Sequence, residues 1–434
     1  MAKQEYEFET LRLRAGYDPK EHNYASSVPI YQTTAYELDT TKRAADIFGC
    51  RDPGFLYTRV NNPTTRVLES RIAALDGGTA AIAVGSGMAA ITYALLNVAE
   101  GGKRVLTSPF LYGGSFDAFQ KIYPRFGIHF DFSKDITNLE LVESEITEDT
   151  RAIFVESVSN PNNVIADLEG LADVAHRHNI PLIVDNTFAT PYLVQPLKHG
   201  ADVVIYSATK SLSGHGNVIA GLIVEKGDFP WDNGKFKQFE EPYYTLRDEA
   251  GTPRSYLTAF PQTAFVSRVT LDYLNYLGAP LGPNDAFLTL LGIETLAERL
   301  DKAIANATKV AEYLESNPHV SWVRYGGLQS HPQQELIAKY YPKGVGSIFS
   351  FGVKGSAAQA DAVVDAVELF SFLANVGDSK SLIVNSPRTT HGELTASEQV
   401  TADLPENLLR LSIGLESADD LIADLEQALD KVFG

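Results

Sequence analysis

The sequence predicts an α/β fold in which helices flank a mostly parallel sheet, and two patterns support this class. Short apolar runs such as Ile180–Val184 and Asp202–Tyr206 alternate with segments of helical periodicity from about residue 61 to about residue 225. Polar residues follow these runs where each strand would end, which is where open parallel sheets bind ligands. With 434 residues, 44% of them hydrophobic, the chain has enough apolar side chains for two or three domains.

Three regions are expected along the chain. Residues 1–60 alternate aromatic and polar side chains and predict an extended N-terminal arm, which would pack on a partner subunit because it buries too little by itself. Residues 61–290 form the large domain, interrupted by an irregular aromatic insertion at about 228–262. Residues 291–434 form a smaller α+β C-terminal domain, reached through a bent or interrupted helix at about 285–314.

Composition excludes several classes of protein. The formal net charge of −19 disfavours binding to nucleic acid or to anionic lipid. The one cysteine, Cys50, cannot form an internal disulfide, which fits a reducing cytoplasm. Neither an apolar signal segment nor an apolar run of about 20 residues is present, so we expect a cytoplasmic protein without a membrane partner. We also expect no metal site.

Lys210 stands where a predicted strand ends and a glycine-rich loop begins. A buried strand would hold its amine in a fixed, partly desolvated position, which favours the neutral, nucleophilic form that Schiff-base chemistry needs. Ser207 and Thr209 supply hydroxyls on either side, which suits a phosphate ester held next to an imine. This combination points to pyridoxal phosphate. The alternative is an ordinary loop lysine among turn residues.

Asp185 ends the preceding predicted strand, in the run Asp185–Phe188 that also contains Thr187. A carboxylate at this end of a parallel strand can meet the pyridinium nitrogen of the cofactor. Keeping that nitrogen protonated lets the ring accept electrons from a carbanion. The alternative for Asp185 is a turn carboxylate or a helix cap.

A glycine turn, Gly85–Met88, joins the predicted strand Ala80–Val84 to a helix of small residues. Backbone amides at such a helix start form an anion site. The same pattern also begins a dinucleotide-binding fingerprint, with Ala90 in place of its third glycine. An NAD-dependent Rossmann dehydrogenase is therefore a remote alternative, although it would have no use for Lys210 and Asp185.

Three aromatic or basic side chains are further candidates. Tyr112 follows the predicted strand Arg104–Thr107 and could stack on a cofactor ring. Tyr57 and Arg59, at the end of the arm, could bind phosphate. A rim or core tyrosine and a surface arginine are the alternatives.

Five motifs, in order along nearly the whole chain, resemble the cystathionine γ-synthase family of Cys/Met-metabolism PLP-dependent enzymes, and most closely its O-acetylhomoserine sulfhydrylase branch. They are Pro-Ile-Tyr-Gln-Thr-Thr (29–34), Tyr-Thr-Arg (57–59), Gly-Ser-Gly-Met (85–88), Asp-Asn-Thr-Phe (185–188) and Ser-Ala-Thr-Lys (207–210). The resemblance implies the fold type I architecture of PLP-dependent transferases.

The resemblance also implies roles for residues. Lys210 would bond to the cofactor as a Schiff base, with Tyr112 and Asp185 as the other catalytic residues, and Asn375 and Arg410 would bind substrate, Arg410 through the α-carboxylate. Tyr57 and Arg59 would reach the phosphate from a neighbouring subunit, which implies a homotetramer built from dimers with shared sites. The implied cofactor-binding residues are Tyr57, Arg59, Gly87, Met88, Tyr112, Asn160, Asp185, Thr187, Ser207, Thr209 and Lys210.

Within the family, Gly114 stands where methionine γ-lyases carry cysteine, and the aromatic insertion resembles the sulfhydrylases. The expected reaction is γ-replacement on O-acetylhomoserine by sulfide or methanethiol, giving homocysteine or methionine and acetate; a γ-lyase is the alternative. Asn385–Arg388 and Asn217 depart from the usual family sequence. These departures leave the acyl leaving group, acetyl or succinyl, open.

Overall fold

The computed structural model describes residues 6–434, so the first five residues of the predicted arm lie outside the described part. The large sheet has seven strands: β1 (Ala80–Val84), β2 (Arg104–Thr107), β3 (His129–Phe132), β4 (Thr150–Glu156), β5 (Leu182–Asp185), β6 (Val203–Ser207) and β7 (Gly221–Glu225). Their order across the sheet is β1-β7-β6-β5-β4-β2-β3. Strand β7 runs antiparallel to both its neighbours, whereas β2 to β6 pair in parallel. The predicted mostly parallel sheet is confirmed.

The arm differs from its prediction, because two of its stretches are helical rather than extended. These are α1 (Phe8–Arg14) and α2 (Thr41–Phe48). In α2, Thr40 caps the first turn and Lys42 pairs with Asp46 one turn later. In α1, Arg12 is buried and donates to the carboxylate of Glu298 and, at 2.8 Å, to the carbonyl oxygen of Glu294. Polar contacts of this kind stabilise short helices that apolar periodicity does not reveal.

Helices cover the faces of the large sheet. They are α3 (Pro63–Asp76), α4 (Gly87–Ala99), α5 (Gly113–Asp117), α6 (Leu139–Glu145), α7 (Leu168–Arg177) and α8 (Thr190–Leu193). Shorter 3-10 or π-helical turns cover Pro19–His22, Ala118–Ile122, Tyr123–Phe126 and Pro196–His199. The helices bury the apolar strands on both sides, which leaves the strand ends as the accessible part of the sheet.

The insertion is folded rather than irregular. It contains α9 (Lys237–Glu240), the antiparallel pair β8 (Tyr243–Arg247) and β9 (Pro253–Arg254), and α10 (Tyr256–Ala259). Trp231, Phe236 and Phe239 are at most 3% exposed and belong to one buried cluster. These aromatic residues lack a regular period because they fill a core against the large domain. After the insertion the chain continues through α11 (Ala264–Arg268), a π-helical turn at Val269–Leu274 and α12 (Asn275–Leu277).

The predicted interrupted helix is confirmed as α13 (Pro283–Glu294) and α14 (Leu296–Ser316), which are separated at Thr295. A second sheet follows, with strands β10 (Val320–Arg324), β11 (Ile348–Val353), β12 (Ser371–Phe372), β13 (Leu382–Val384) and β14 (Leu408–Ser412) in the order β10-β11-β14-β13-β12. Its helices are α15 (Gln334–Tyr340), α16 (Ala357–Ala366), α17 (Ala396–Thr401) and α18 (Ala418–Phe433), with a 3-10 turn at Ser386–Arg388.

One buried apolar cluster joins the two sheets. Val184 of β5, Leu300 of α14 and Leu411 of β14 all belong to it. This shared core fixes β14 relative to the ends of the parallel strands, although the division of the chain at residues 60 and 290 stays a prediction. No helix within residues 6–434 combines the length and the apolar composition that a membrane span requires.

Candidate active site

The carboxyl ends of three parallel strands meet at one edge of the large sheet. Strand β4 ends at Glu156, β5 at Asp185 and β6 at Ser207, and Glu156 lies directly beside Asp185 in register. We call Glu156, Asp185, Ser207 and the following Lys210 the strand-end cluster. They line a cavity of about 460 Å³, here called the Lys210 cavity.

Lys210 extends into this cavity from the turn that follows β6. Its Nζ donates to Oδ1 of Asn375 at 2.6 Å. Burial lowers the pKa of Lys210 to about 8, with a further contribution from the nearby positive charge of Arg410. About a tenth of this amine is therefore neutral at pH 7, far more than for a solvent-exposed lysine, which suits a nucleophilic role.

Two buried carboxyl groups lie side by side behind the lysine. Asp185 accepts hydrogen bonds from the backbone N–H (3.0 Å) and the hydroxyl (2.5 Å) of Thr187. Glu156 accepts from the backbone N–H of Tyr112 at 2.6 Å and of Asn160 at 2.9 Å. Burial raises the pKa of both groups, and the charge of Asp185 raises that of Glu156 further. Asp185 is thus the better placed of the two to carry a negative charge.

Sequence reasoning missed Glu156 as a site residue. The available signal was its position at the end of an apolar run, whereas its register beside Asp185 is seen only in the structure. Through its two backbone hydrogen bonds it holds Tyr112 and Asn160, both of which line the cavity.

Donors for an anion lie at the start of α4. Ser86 caps this helix by accepting from the N–H of Ala89 at 3.1 Å. Gly87 packs so closely on β6 that a Cβ atom there would lie 2.6 Å from Cβ of Ser207. Met88 and Thr209 complete this side of the cavity. The Thr209 hydroxyl accepts from the N–H of Ala220 at 2.9 Å. The helix amides and the hydroxyls therefore face one region, which suits phosphate.

Arg410 enters the cavity from β14 of the second sheet and is 3% exposed. Its guanidinium donates to Oδ1 of Asn160 at 3.1 Å and to the backbone oxygen of Asn375 at 3.3 Å. Burial lowers its pKa to about 10, so the group remains charged at neutral pH. Among residues 6–434 no carboxylate forms an ion pair with it, which leaves its charge available for an anionic ligand.

Tyr112 lines the opposite wall, with 43% of its surface exposed. Its ring lies over Gly114, where a Cβ atom would come within 2.7 Å of a ring carbon. Partial burial, followed by the charge of Glu393, raises the pKa of its phenol, so the hydroxyl stays protonated at neutral pH. A planar ligand in the cavity would have this aromatic wall beside it.

Tyr57 and Arg59 are not brought to the Lys210 cavity of their own chain. They line a separate surface recess with Gln32, Thr34 and Pro280. The Arg59 guanidinium donates to the backbone oxygen of Asn275 and, at 2.9 Å, to its side-chain oxygen. Their predicted action on a neighbouring subunit stays a prediction.

The cavity residues fit pyridoxal phosphate. The space closed by Gly87 and Ser207 offers neutral N–H and O–H donors for a phosphate, Lys210 offers an amine for the aldehyde, and Asp185 offers a carboxylate for the ring nitrogen. In the described part of the chain, no group of three or more His, Cys, Asp or Glu residues is arranged to hold a metal ion.

Comparisons with known proteins identify the family of the chain. A model of the family described as Cys/Met metabolism PLP-dependent enzyme matches residues 9–430. Sulfhydrylase FUB7 of Gibberella moniliformis is 43% identical, with 100% of both chains covered. The O-acetyl-L-homoserine sulfhydrylase of Leptospira meyeri is 41% identical and covers 98% of this chain and 97% of its own.

A solved structure has the same fold as this chain. It is a 2.35 Å crystal structure of a Campylobacter jejuni protein provisionally named an O-acetylhomoserine (thiol)-lyase, and it contains N'-pyridoxyl-lysine-5'-monophosphate. The TM-score is 0.93 at 40% identity, with 98% of this chain and 100% of the other covered. The predicted fold class is confirmed, and the dehydrogenase alternative is wrong. The chain belongs to the Cys/Met metabolism PLP-dependent enzyme family.

Proposed function

We propose that the protein catalyses γ-replacement on O-acetylhomoserine, with sulfide or a small thiol as the nucleophile and homocysteine or methionine and acetate as products. Relatives with this activity in their names support the proposal over the full length of the chain. The observation that supports it most is the Lys210 amine, which lies at 2.6 Å from Asn375 and close to the buried charge of Arg410.

In this proposal the cofactor is held by several kinds of interaction. Lys210 bonds to its aldehyde, Asp185 pairs with the ring nitrogen, Tyr112 stacks on the ring and Asn160 faces the ring hydroxyl. The phosphate would lie at the start of α4. The other polar atoms of the cofactor would be surrounded by hydroxyls and backbone amides, those of Ser207, Thr209, Thr187, Gly87 and Met88. When bound, pyridoxal phosphate joins the substrate amino group and withdraws electrons from Cα.

Arg410 binds the α-carboxylate of the substrate through two parallel N–H donors. Its present contacts with Asn160 and Asn375 keep the guanidinium fixed, so little side-chain entropy is lost on binding. Asn375, whose side-chain oxygen accepts from Lys210, orients the amine towards Cα. This arrangement sets the position of the amino acid before any bond changes.

Lys210 is released as a free amine when the substrate amino group takes its place, and it then acts as the base. Its neutral Nζ removes the proton from Cα, and a second proton is removed from Cβ. The C–O bond at Cγ breaks and acetate leaves with the bonding electrons, after which the sulfur of sulfide bonds to the same carbon. Protons returned to Cβ and Cα complete homocysteine, so that one acetate is released for each sulfide consumed. A lowered lysine pKa suits this role, because the amine must accept and release protons near neutral pH.

We further propose a cytoplasmic homotetramer built from dimers in which Tyr57 and Arg59 complete the neighbour's phosphate site. Support comes from the position of both residues in a surface recess away from the Lys210 cavity of their own chain. The donors at the start of α4 are neutral, and a dianionic phosphate gains from a fixed cation. The cytoplasmic assignment is supported by the single cysteine, because disulfides are rare in that compartment.

The test is an assay of acetate, homocysteine and α-ketobutyrate with purified holoenzyme and O-acetylhomoserine. We expect sulfide to give homocysteine and acetate in equal amounts, at a rate far above ketoacid release without sulfide. A γ-lyase would release ketoacid and ammonia that sulfide does not suppress. That outcome, or no turnover of the ester, would refute the proposed function.

A further inference from the structure

Glu393 introduces a negative charge at the rim of the Lys210 cavity that the proposed mechanism does not use. It is an exposed residue that lines the cavity together with Thr390, and its charge is felt by the phenol of Tyr112 on the neighbouring wall. Among residues 6–434 no basic side chain forms an ion pair with its carboxylate. The hydrogen bond to Asp117 raises the pKa of Lys121, and the charge of Glu393 adds to this increase, so Lys121 offsets part of that charge without pairing with it.

The segment that bears Glu393 is held in place. Lys121 donates to its backbone oxygen at 3.2 Å while pairing with Asp117 outside the cavity. His391, two residues earlier, is 1% exposed and approaches the carbonyl oxygen of Leu111 with its Nε2 at 3.4 Å. These contacts attach the rim to the loop that presents Tyr112, so the carboxylate stays near the cavity mouth.

The charged side chains that line the cavity determine which charge a bound substrate has beside it. The basic groups that line it are Lys210 and Arg410, and the acidic groups are Glu156, Asp185 and Glu393. In the proposed function Lys210 is a neutral base once the substrate is bound, Asp185 pairs with the ring nitrogen and Arg410 pairs with the α-carboxylate. The raised pKa of Glu156 favours its neutral form. Glu393 is then the remaining charge, and it is negative.

We propose that Glu393 is a specificity-determining residue that makes the site favour homoserine esters with an uncharged acyl group, such as acetyl, over esters whose acyl group ends in a carboxylate, such as succinyl. This inference rests on the proposed function. With Cα near Lys210, an extended succinyl ester carries its carboxylate roughly 8–9 Å away by ordinary bond lengths, within the cavity that Glu393 also lines. The acetyl ester ends in a methyl group at a shorter distance.

The physical basis is repulsion between two carboxylates at a partly solvated rim. The repulsion acts within about one Debye length, roughly 8 Å at physiological ionic strength. For groups near solvent it corresponds to about a threefold to tenfold effect on relative kcat/KM. Salt screens such repulsion, whereas a purely steric effect of the side chain would not respond to salt.

The experiment compares holoenzyme variants Glu393→Gln and Glu406→Gln with the unchanged protein, using the acetyl and succinyl esters with saturating sulfide. Glu406 is an exposed glutamate outside the cavity and serves as the matched control. We expect Glu393→Gln to raise the ratio of kcat/KM for succinyl over acetyl about threefold to tenfold, and Glu406→Gln to leave it unchanged. Added salt should raise the ratio in the unchanged protein and have much less effect in Glu393→Gln.

A binding measurement separates this inference from the proposed function. Calorimetry with L-2-aminosuberate and L-2-aminooctanoate compares a terminal carboxylate with a methyl group on chains of equal carbon number that lack a leaving group. Glu393→Gln should improve the relative affinity for the dicarboxylate. Unchanged ratios in both turnover and binding would overturn the role of Glu393. Absence of turnover with the acetyl ester would refute the proposed function, while the binding ratio would still decide the role of Glu393.

Discussion

The strand-end cluster and the N-terminal arm present their candidate cofactor-binding groups in different ways. The cluster is built by parallel strands, and its groups are fixed by short hydrogen bonds such as Thr187 to Asp185 and Tyr112 to Glu156. The arm presents Tyr57 and Arg59 at the surface, with Tyr57 38% exposed. One region is preorganised around the cavity of a single chain, whereas the other has its cationic group in a recess separate from that cavity.

This difference shows which part of a cofactor site the Lys210 cavity of a single chain lacks, namely a cation for the phosphate. The sheet edge supplies an amine, a carboxylate and neutral donors, but the two cations of its cavity are already assigned to the cofactor aldehyde and to the α-carboxylate. A phosphate dianion then lacks a fixed positive partner. Arg59 of a neighbouring subunit is our candidate, and the following changes test each side of the comparison.

Lys210→Ala should have the largest effect, because it removes both the covalent anchor for the cofactor and the base. We expect kcat to fall by at least about 10³-fold. After borohydride reduction, mass spectrometry should find a pyridoxyl group on the peptide with Lys210 in the unchanged protein and none in the variant. The surface variant Lys226→Ala should keep the label. A variant labelled to the same stoichiometry without Lys210 would remove this residue from its role.

Asp185→Asn should have the next largest effect. The amide is nearly the same size but cannot keep the ring nitrogen protonated, so exchange of the Cα proton with deuterium should slow by about 10²-fold or more. Proton NMR in D₂O measures the exchange, and circular dichroism checks that the fold is retained. Asp173→Asn, on the exposed side of α7, is the control. Exchange at the normal rate in Asp185→Asn would contradict the assignment.

Arg59→Ala tests the arm. Loss of charge-assisted hydrogen bonds worth about 1.5–3 kcal/mol should weaken cofactor binding by about 10- to 100-fold. Cofactor absorbance after serial dilution gives the dissociation constant, and Arg125→Ala changes an exposed arginine elsewhere as a control. If Arg59→Ala retains cofactor as tightly as the control, the arm has no part in phosphate binding.

The pH dependence of cofactor capture tests the desolvation of Lys210 without a substitution. Burial lowers the pKa of Lys210 to about 8, so the neutral fraction of the amine rises about tenfold per pH unit below pH 8 and levels off above it. The rate at which cofactor-free enzyme captures pyridoxal phosphate should follow this curve in stopped-flow absorbance. A rate that kept rising towards pH 10, as for an unperturbed lysine, would contradict a desolvated Lys210.

The contrast between the strand-end cluster and the arm also explains which site residues could be predicted from the sequence alone. Asp185 was predictable because it lies directly after an apolar run, and Lys210 because it lies in the short turn that follows the next such run. Glu156 ends a similar run, but its importance arises from the register that sets β4 beside β5. Periodicity along one strand contains no information about register with the next.

Sequence patterns also could not predict contacts between segments that are distant along the chain. Asn375 and Arg410 meet Lys210 only because the two sheets share a core, and these residues were identified by family resemblance rather than by spacing. The helices of the arm were missed because polar contacts, such as Arg12 with Glu298, stabilise them. The insertion was expected to be irregular because its aromatic residues serve a core that its own sequence does not reveal.

The most direct test of a site completed by two subunits mixes Lys210→Ala with Arg59→Ala at limiting cofactor, under conditions that let subunits exchange. If Arg59 acts on its neighbour, one of the two sites in each mixed dimer has an intact lysine and an intact arginine. The account predicts recovery of up to about a quarter of the normal activity, since random exchange makes half of the dimers mixed. No recovery after verified exchange would mean that Arg59 serves its own subunit, which contradicts the account.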